Sequence, residues 1–260
     1  MGVELEWRGR AAGRDLQRRP FRPVVVVPTY DNPLTIERVA LEAREHVPGV
    51  IVVDDGGGPA AQEALQRLAA HEGVTVLHRA TNGGKGAAVK DGLRWAAEAG
   101  YTHALQVDAD GQHDLGDVPR LLVAAREAPG ALVLGQPVFD ESAPGHRRVA
   151  RKLSIFWVNV ATALDRGRIA DPMCGYRVYP IADAVAVMDR CGDRMDFDPE
   201  IAVRLVWRGC PVVHVPTKVR YVPEEEGGVS HFLAFTDNAL VSLLFARLFM
   251  LRFLGLSKSL

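Results

Sequence analysis

Three short apolar runs in this chain each end in carboxylates. Residues 24–27 lead into Pro28-Thr29-Tyr30-Asp31-Asn32, residues 50–53 into Asp54-Asp55-Gly56-Gly57-Gly58, and residues 104–107 into Asp108-Ala109-Asp110-Gly111-Gln112-His113-Asp114. Carboxylates gathered at one edge repel one another and resist desolvation unless a cation or hydrogen-bond donors answer them. Asp108 and Asp110 flank a single residue, a spacing that can aim both at one ion if the chain turns there, and Gln112 or His113 can add a neighbouring ligand. Oxygen donors suit Mg²⁺ or Mn²⁺, which keep several waters and are completed by substrate phosphates. Alone, an Asp-x-Asp is equally a turn or a cap; its place after an apolar run, with Asp54-Asp55 after another, points to metal chemistry.

A second constellation is Asn82-Gly83-Gly84-Lys85-Gly86-Ala87-Ala88. Its glycines let backbone amides approach an anion, and a helix N-terminus with Lys85 adds positive charge. It is not a Walker A loop, since the spacing differs and no Ser or Thr follows the lysine. The plain alternative is a glycine-rich loop with a solvated lysine. Gly56-Gly57-Gly58-Pro59-Ala60-Ala61 fits the dinucleotide fingerprint formally, but it follows the second run and places Pro59 where the helix would open, so a nicotinamide or flavin cofactor is set aside.

The elements that must carry these groups read as alternating strands and helices. Buried β-branched runs at 24–27, 50–53, 74–77, 104–107, 131–134 and 212–215 alternate with helical patterns at 34–46, 60–71, 86–99 and 118–128. Such alternation, with strands apolar on both sides, implies an α/β fold with a mainly parallel sheet covered by helices on both faces. Open sheets of this kind bind ligands at the carboxyl ends of their strands, which is where the carboxylates stand.

These motifs, together with Cys174-Gly175-Tyr176-Arg177, occur in the order found in family 2 glycosyltransferases, and the chain most resembles the polyprenyl-phosphate, or dolichol-phosphate mannosyltransferase-like, branch over residues 23–221. The resemblance implies a GT-A (Rossmann-like) fold, a UDP- or GDP-sugar donor, Mg²⁺ or Mn²⁺, and inversion at the anomeric carbon. It further implies that Pro28, Tyr30 and Asp31 line the nucleotide pocket, that Asp54 or Asp55 holds the base or ribose, and that Lys85 lies near the nucleotide. Asp108 becomes the nucleotide- or metal-side carboxylate, Asp110 a direct metal ligand and Gln112 a further one. The ion would neutralise the leaving diphosphate.

The second half is expected to build the acceptor side. Asp171-Pro172-Met173-Cys174-Gly175-Tyr176-Arg177 resembles the family's Asp-x-x-Ser-Gly-Phe-Arg segment with Cys174 in place of Ser, and Asp196-Phe197-Asp198-Pro199-Glu200 resembles the segment that sets an acid beside the acceptor. With a hydroxyl acceptor, Asp198 or Glu200 is the candidate general base. A lipid phosphate is already anionic and needs none. The alternative for both acids is a helix cap or first-turn charge. Arg148, Arg151 and Ser154 are the implied phosphate contacts, unless their stretch is a core-facing helix with an ordinary basic outer face. Where relatives often carry Arg-x-x-Gly-x-Ser-Lys, this chain has Glu224-Glu225-Glu226-Gly227-Gly228-Val229-Ser230-His231, so His231 is the one phosphate contact left there.

The rest of the chain sets limits. Its 260 residues allow one large domain, and 48% hydrophobic with 24% charged residues is ordinary globular composition. A net charge of -1 gives no overall field for nucleic acid. Three cysteines without C-x-x-C spacing argue against a disulfide framework or zinc site and for a reducing, cytoplasmic setting. We divide the chain into a basic arm (1–22), a glycosyltransferase domain (23–231) and an amphipathic helical tail (232–260). In the tail, Leu240, Leu243, Leu244, Leu248 and Leu251 fall at helical spacing, and the uninterrupted apolar run 239–246 is too short to cross a bilayer. The tail is either an interfacial helix with Arg247 and Arg252 snorkelling, or a helix packed on the domain or on a partner subunit. The expected activity is transfer of a hexose to a lipid-linked acceptor by an enzyme held peripherally at the cytoplasmic face of a membrane. The alternatives are a soluble or glycan acceptor and a non-catalytic nucleotide-sugar-binding subunit.

Overall fold

The computed structural model describes residues 20–138, 145–165, 167–219 and 234–254, and side chains for all of these except 145–153 and 234–240. In chain order the elements are β1 (Pro23–Thr29), α1 (Ile36–Arg44), β2 (Val50–Asp54), α2 (Pro59–Ala69), β3 (Val74–His78), α3 (Lys85–Glu98) and β4 (His103–Gln106). There follow α4 (Val118–Glu127), β5 (Leu132–Val138), α5 (Gly145–Thr162), β6 (Arg177–Pro180), α6 (Ile181–Met188), α7 (Phe197–Arg208), β7 (Val212–Lys218) and α8 (Ala234–Phe253).

The central strands are valine runs because both of their faces are covered. Successive side chains of a strand point to opposite sides, so Val24 and Val26 enter a core with α3, α6, α7 and α8, while Val25 and Val27 enter another with α1, α2 and α4. The strand order is β3-β2-β1-β4-β6-β5-β7. β1, β2, β3 and β4 run parallel, β6 is antiparallel to both β4 and β5, and β5 is parallel to β7. The chain winds outward from β1 through β2 to β3 and then returns by α3 to β4 on the other side of β1. That reversal opens a crevice at the carboxyl ends of β1 and β4, the ends that carry Asp31 and Asp108. The mainly parallel sheet and the helices on both faces follow the sequence reading. β6 is an addition to it, a four-residue strand with a buried arginine that shows no apolar run.

The tail is a helix seated on the domain. Val241, Leu244, Phe245 and Leu248 are buried at one-turn spacing in the core that also holds Val158 and Ala161 of α5 and Ile201 and Leu205 of α7. Arg247, half exposed, pairs with Glu200 of α7, and Arg252 pairs with Asp165 at 2.7 Å. Among the described residues, no helix is long and apolar enough to cross a membrane.

Candidate active site

The Asp108–Asp110 turn is built locally. Gly111 adopts φ +71°, which lets the chain reverse after the strand, and the Gln112 amide donates back to Asp110 Oδ1 at 3.0 Å. Thr35, just before α1, donates its hydroxyl to the Ala109 carbonyl at 2.6 Å and fastens the turn to the neighbouring element. From the other side Gly175 lies against Asp108 so closely that a Cβ there would run into the carboxylate. A side chain at Gly175 would push the Asp108 carboxylate aside, so glycine lets the Cys174-Gly175-Tyr176-Arg177 segment lie on the motif without displacing it.

Lys85 stands at the centre. At the first position of α3 it reaches Asp108 Oδ1 at 2.7 Å and Asp198 Oδ2 at 2.8 Å, with 16% of its side chain exposed. Its contact with Asp108 is an ion pair without aligned hydrogen-bond geometry, for Asp108 Oδ1 has no hydrogen-bond partner. Burial opposes the Lys85 charge, but Asp108 and Asp198 outweigh it and hold the ammonium well above its ordinary range. Burial likewise pushes Asp108 up, yet Lys85 and then His113, whose Nε2 is 3.7 Å away, bring it far below the usual carboxylate range. Asp110 lacks such a partner: burial first, and the Asp108 charge second, raise it.

Behind Lys85 lies a buried polar chain. Tyr179 donates its hydroxyl to Gln106 Oε1 at 2.8 Å, and Gln106 Nε2 donates to Asp198 Oδ1 at 3.2 Å. Arg177, with no exposed side-chain surface, donates to the carbonyls of Cys174, Pro172 and Asp198 and lies 3.9 Å from Asp198 Oδ1. Burial works against its charge, but Asp198 more than compensates and the guanidinium stays charged. Cys174, in the position where Ser is usual, is a buried thiol pushed up to about 12 by burial and then by Asp171, so it is neutral and inert as a nucleophile.

Residues 24–182 match glycosyl transferase family 2. The chain belongs to that family. It is 33% identical over 224 residues to the undecaprenyl-phosphate mannosyltransferase of Micrococcus luteus, across 80% of this chain and 86% of that protein. It is 28% identical over 245 residues to the polyprenol monophosphomannose synthase of Mycolicibacterium smegmatis, across 86% of each. The fold is shared with glucosyl-3-phosphoglycerate synthase from Mycobacterium tuberculosis, solved with Mn²⁺, UDP and glucosyl-3-phosphoglycerate, at a TM-score of 0.60 and 17% identity over 95% of this chain and 86% of that one. The protein is thus a GT-A-type family 2 glycosyltransferase, as its motifs imply.

Within this glycosyltransferase the expected site residues separate into groups. Asp108, Lys85 and Asp198 are in contact, and Asp110 and Gln112 adjoin them on the turn. Asp31, at φ +50°, accepts from the Gly58 amide at 2.6 Å, and Asp54 accepts from the Gly57 amide at 2.8 Å and from Gln62. Both acids thereby shape the β2–α2 loop, while Pro28 is buried in β1 and Tyr30 is half-buried beside Asp31.

The glycine-rich loop does approach an anion, but that anion is Asp55, whose two oxygens accept from the Gly83 amide at 2.9 Å and the Gly84 amide at 2.7 Å. The Ala87 amide is given to the Asp193 carbonyl. The anion that the glycines let the amides of Gly83 and Gly84 approach is thus one of the protein's own carboxylates.

Glu200 stands apart from the Asp108 cluster. It is fully buried and accepts from the Gly192 amide, Arg204 and Arg247, which makes it the anchor of α8. Ser154 is buried on α5. The side chains of Arg148 and Arg151, the whole of His231, and residues 1–19 of the basic arm lie outside the described residues.

The sequence reading missed Gln106 and Tyr179. A polar Gln106 inside an otherwise apolar strand was the available signal for the first; Tyr179, 73 residues further on, carried none.

Proposed function

We propose that this enzyme transfers a hexosyl group, with inversion, from a UDP- or GDP-sugar to the phosphate of a polyprenyl phosphate. The observation that carries the choice of acceptor is the engagement of Asp198. One of its oxygens faces Lys85, the other is hydrogen-bonded by Gln106 with Arg177 beyond it, and the side chain is buried. Each oxygen thus has a donor or cation beside it and only 4% of the side chain is exposed, which leaves a hydroxyl acceptor little access to it as a base. A phosphate monoester needs no such base, because its oxygen is already anionic. That oxygen attacks the anomeric carbon, the bond from this carbon to the donor's diphosphate breaks with its electron pair leaving on the nucleoside diphosphate, and no proton moves. The named activities of the Micrococcus luteus and Mycolicibacterium smegmatis relatives favour the same acceptor class.

The residues present fit a divalent cation. Asp110 is half-buried beside the negative Asp108, which with burial raises it, and the described residues gather no group of three or more His, Cys, Asp or Glu that would form an all-protein cage. Mg²⁺ and Mn²⁺ are commonly held by one or two carboxylates and completed by substrate phosphates. Asp108 and Asp110 would hold the ion with Gln112 adjoining, and it would supply charge stabilisation to the departing diphosphate. Lys85, fixed by Asp198, keeps a second positive charge at the same edge, and the Gly175 backbone closes over Asp108 and limits water there.

The test is incubation of the purified protein with UDP- and GDP-hexoses, a polyprenyl phosphate and Mn²⁺ or EDTA, with mass spectrometry of the lipid. A metal-dependent polyprenyl-phosphate hexose is expected. Transfer to a hydroxyl acceptor with the lipid phosphate left untouched would refute the reading.

A further inference from the structure

Two fully buried polar side chains, Gln106 of β4 and Tyr179 of β6, stand behind the Lys85 cluster. The antiparallel register sets Gln106 opposite Arg177 and Ala104 opposite Tyr179. Residues two apart on a strand share a face, so Gln106, Arg177 and Tyr179 all project to the side of the sheet on which α7 carries Asp198. The Gln106 amide links the other two groups: its oxygen accepts from the Tyr179 hydroxyl at 2.8 Å and its nitrogen donates to Asp198 Oδ1 at 3.2 Å.

Those two bonds give the amide a direction. Burial pushes the Tyr179 phenol far up, so its hydroxyl keeps its proton and donates. Turned over, the amide would set its oxygen against the Asp198 carboxylate. With Oδ1 tied in this way and Arg177 3.9 Å from the same oxygen, Asp198 presents Oδ2 to Lys85 at 2.8 Å. Lys85 is a point charge on a flexible four-carbon stem, and the carboxylates of Asp108 and Asp198 hold it in place. Apolar side chains of like volume would fill the space of Gln106 and Tyr179 at little or no cost in stability, but they would leave Asp198 without its aligned donor.

We propose that Tyr179 and Gln106 are positioning residues: acting through Asp198, they set where the Lys85 ammonium stands and hence how it meets the diphosphate of the donor. This role rests on the proposed binding of a nucleoside diphosphate sugar at this edge and is independent of the acceptor. It differs from a packing role because its whole effect passes through one charge.

A proton–nitrogen correlation spectrum of the side-chain ammonium groups reads the position of Lys85 without any ligand, its signal being the one that Lys85→Met removes. Tyr179→Phe, which keeps the ring, and Gln106→Leu are each expected to shift that signal and to leave the signal of Lys90 in place. Lys90 is the control for general loosening, since it is buried on the same helix and held by the Cys191 carbonyl and Asp193. Calorimetry with UDP or GDP and Mn²⁺ reads the consequence: each variant should bind the nucleotide about three- to tenfold more weakly than wild type. In the Lys85→Met background, Tyr179→Phe should change that affinity by less than about 1.5-fold, because the group it acts through is gone. An unmoved Lys85 signal, a Lys90 signal that moves as far, or a loss that persists in full in that background would each overturn the proposal. A wild type that binds neither nucleotide refutes the donor reading, and the ammonium spectrum still decides the positioning role.

Discussion

Replacing Lys85 by methionine tests whether this ammonium is the counter-charge of the site. It keeps the length of the side chain and removes the charge, leaving Asp108 and Asp198 facing each other across an apolar tip. In a protein-like dielectric each contact, at 2.7 and 2.8 Å, is worth roughly 6 kcal/mol before desolvation is subtracted. Breaking a buried pair by removing one partner costs about 3–5 kcal/mol net. The lower end applies here, because Asp108 is 25% exposed and keeps His113, and Asp198 keeps Gln106 and Arg177.

We therefore expect Lys85→Met to lose about 3 kcal/mol at pH 7 in urea unfolding, and the double variant with Asp108→Asn to recover part of that loss. The pH dependence gives a second check. In wild type the depressed Asp108 contributes stability above its unfolded value of 3.8, lost only as pH falls through the lower folded value. Without Lys85, burial is opposed by His113 alone, so Asp108 moves up from its wild-type position and the folded variant takes up its proton before the wild type does, gaining relative stability in acid. The gap between variant and wild type should narrow as pH falls from 7 toward about 4. A loss below about 1 kcal/mol at pH 7, or a gap that does not narrow, would refute Lys85 as the counter-charge.

Asp110→Ala should abolish metal-dependent transfer while leaving the unfolding midpoint within about 0.5 kcal/mol of wild type or above it, since it removes a carboxylate that burial already disfavours; a radiolabelled-donor assay and a melt read the two. Glu200→Gln should strip the counter-charge from Arg204 and Arg247, and faster amide exchange in α8 than in α3 would show the tail loosening first. Stability should also fall as pH drops below about 6.5: burial lowers His103, and burial followed by Arg168 lowers His214, whose Nε2 accepts from the Ala170 amide and so needs the neutral ring. Each contributes at most about 1.4 kcal/mol per pH unit, and His103→Gln should flatten the slope measured by urea unfolding between pH 5 and 7.5.

The sheet and the aspartates at its edge were legible because both follow from short-range pattern. A parallel strand buried on two faces must be a run such as Val24-Val25-Val26-Val27, and whatever follows it is delivered to the carboxyl edge. The Asp108–Asp110 turn could be read for the same reason, being closed by its own Gly111 and the Gln112 amide. Pairings formed across the fold were not legible. Nothing near Glu200 announces Arg247, 47 residues later, and a first-turn acid looks the same whether it serves a reaction or seats a helix. Nor does Asp55 reveal that it occupies the amides of Gly83 and Gly84, since an anion-seeking loop reads identically whether the anion is a substrate or the protein itself. β6 escaped because four residues that include a buried arginine carry no periodicity.

The position of β6 bears on how the chain is made. As synthesis proceeds, β1 to β4 with their helices can assemble early, but the free side of β4 has no neighbour until Arg177–Pro180 emerges, because Gln106 pairs with Arg177 and not with anything nearer. For the time the ribosome needs to add those intervening residues, the nascent protein presents a bare strand edge open to pairing with another chain. The strand that ends this exposure is the one that brings Arg177 and Tyr179 to Asp198 and Gln106. Closing the sheet thus supplies two members of the polar chain behind the active site, and Asp198 on α7 completes it only later in synthesis, so a nascent chain stalled before residue 180 is at once aggregation-prone and without that polar chain.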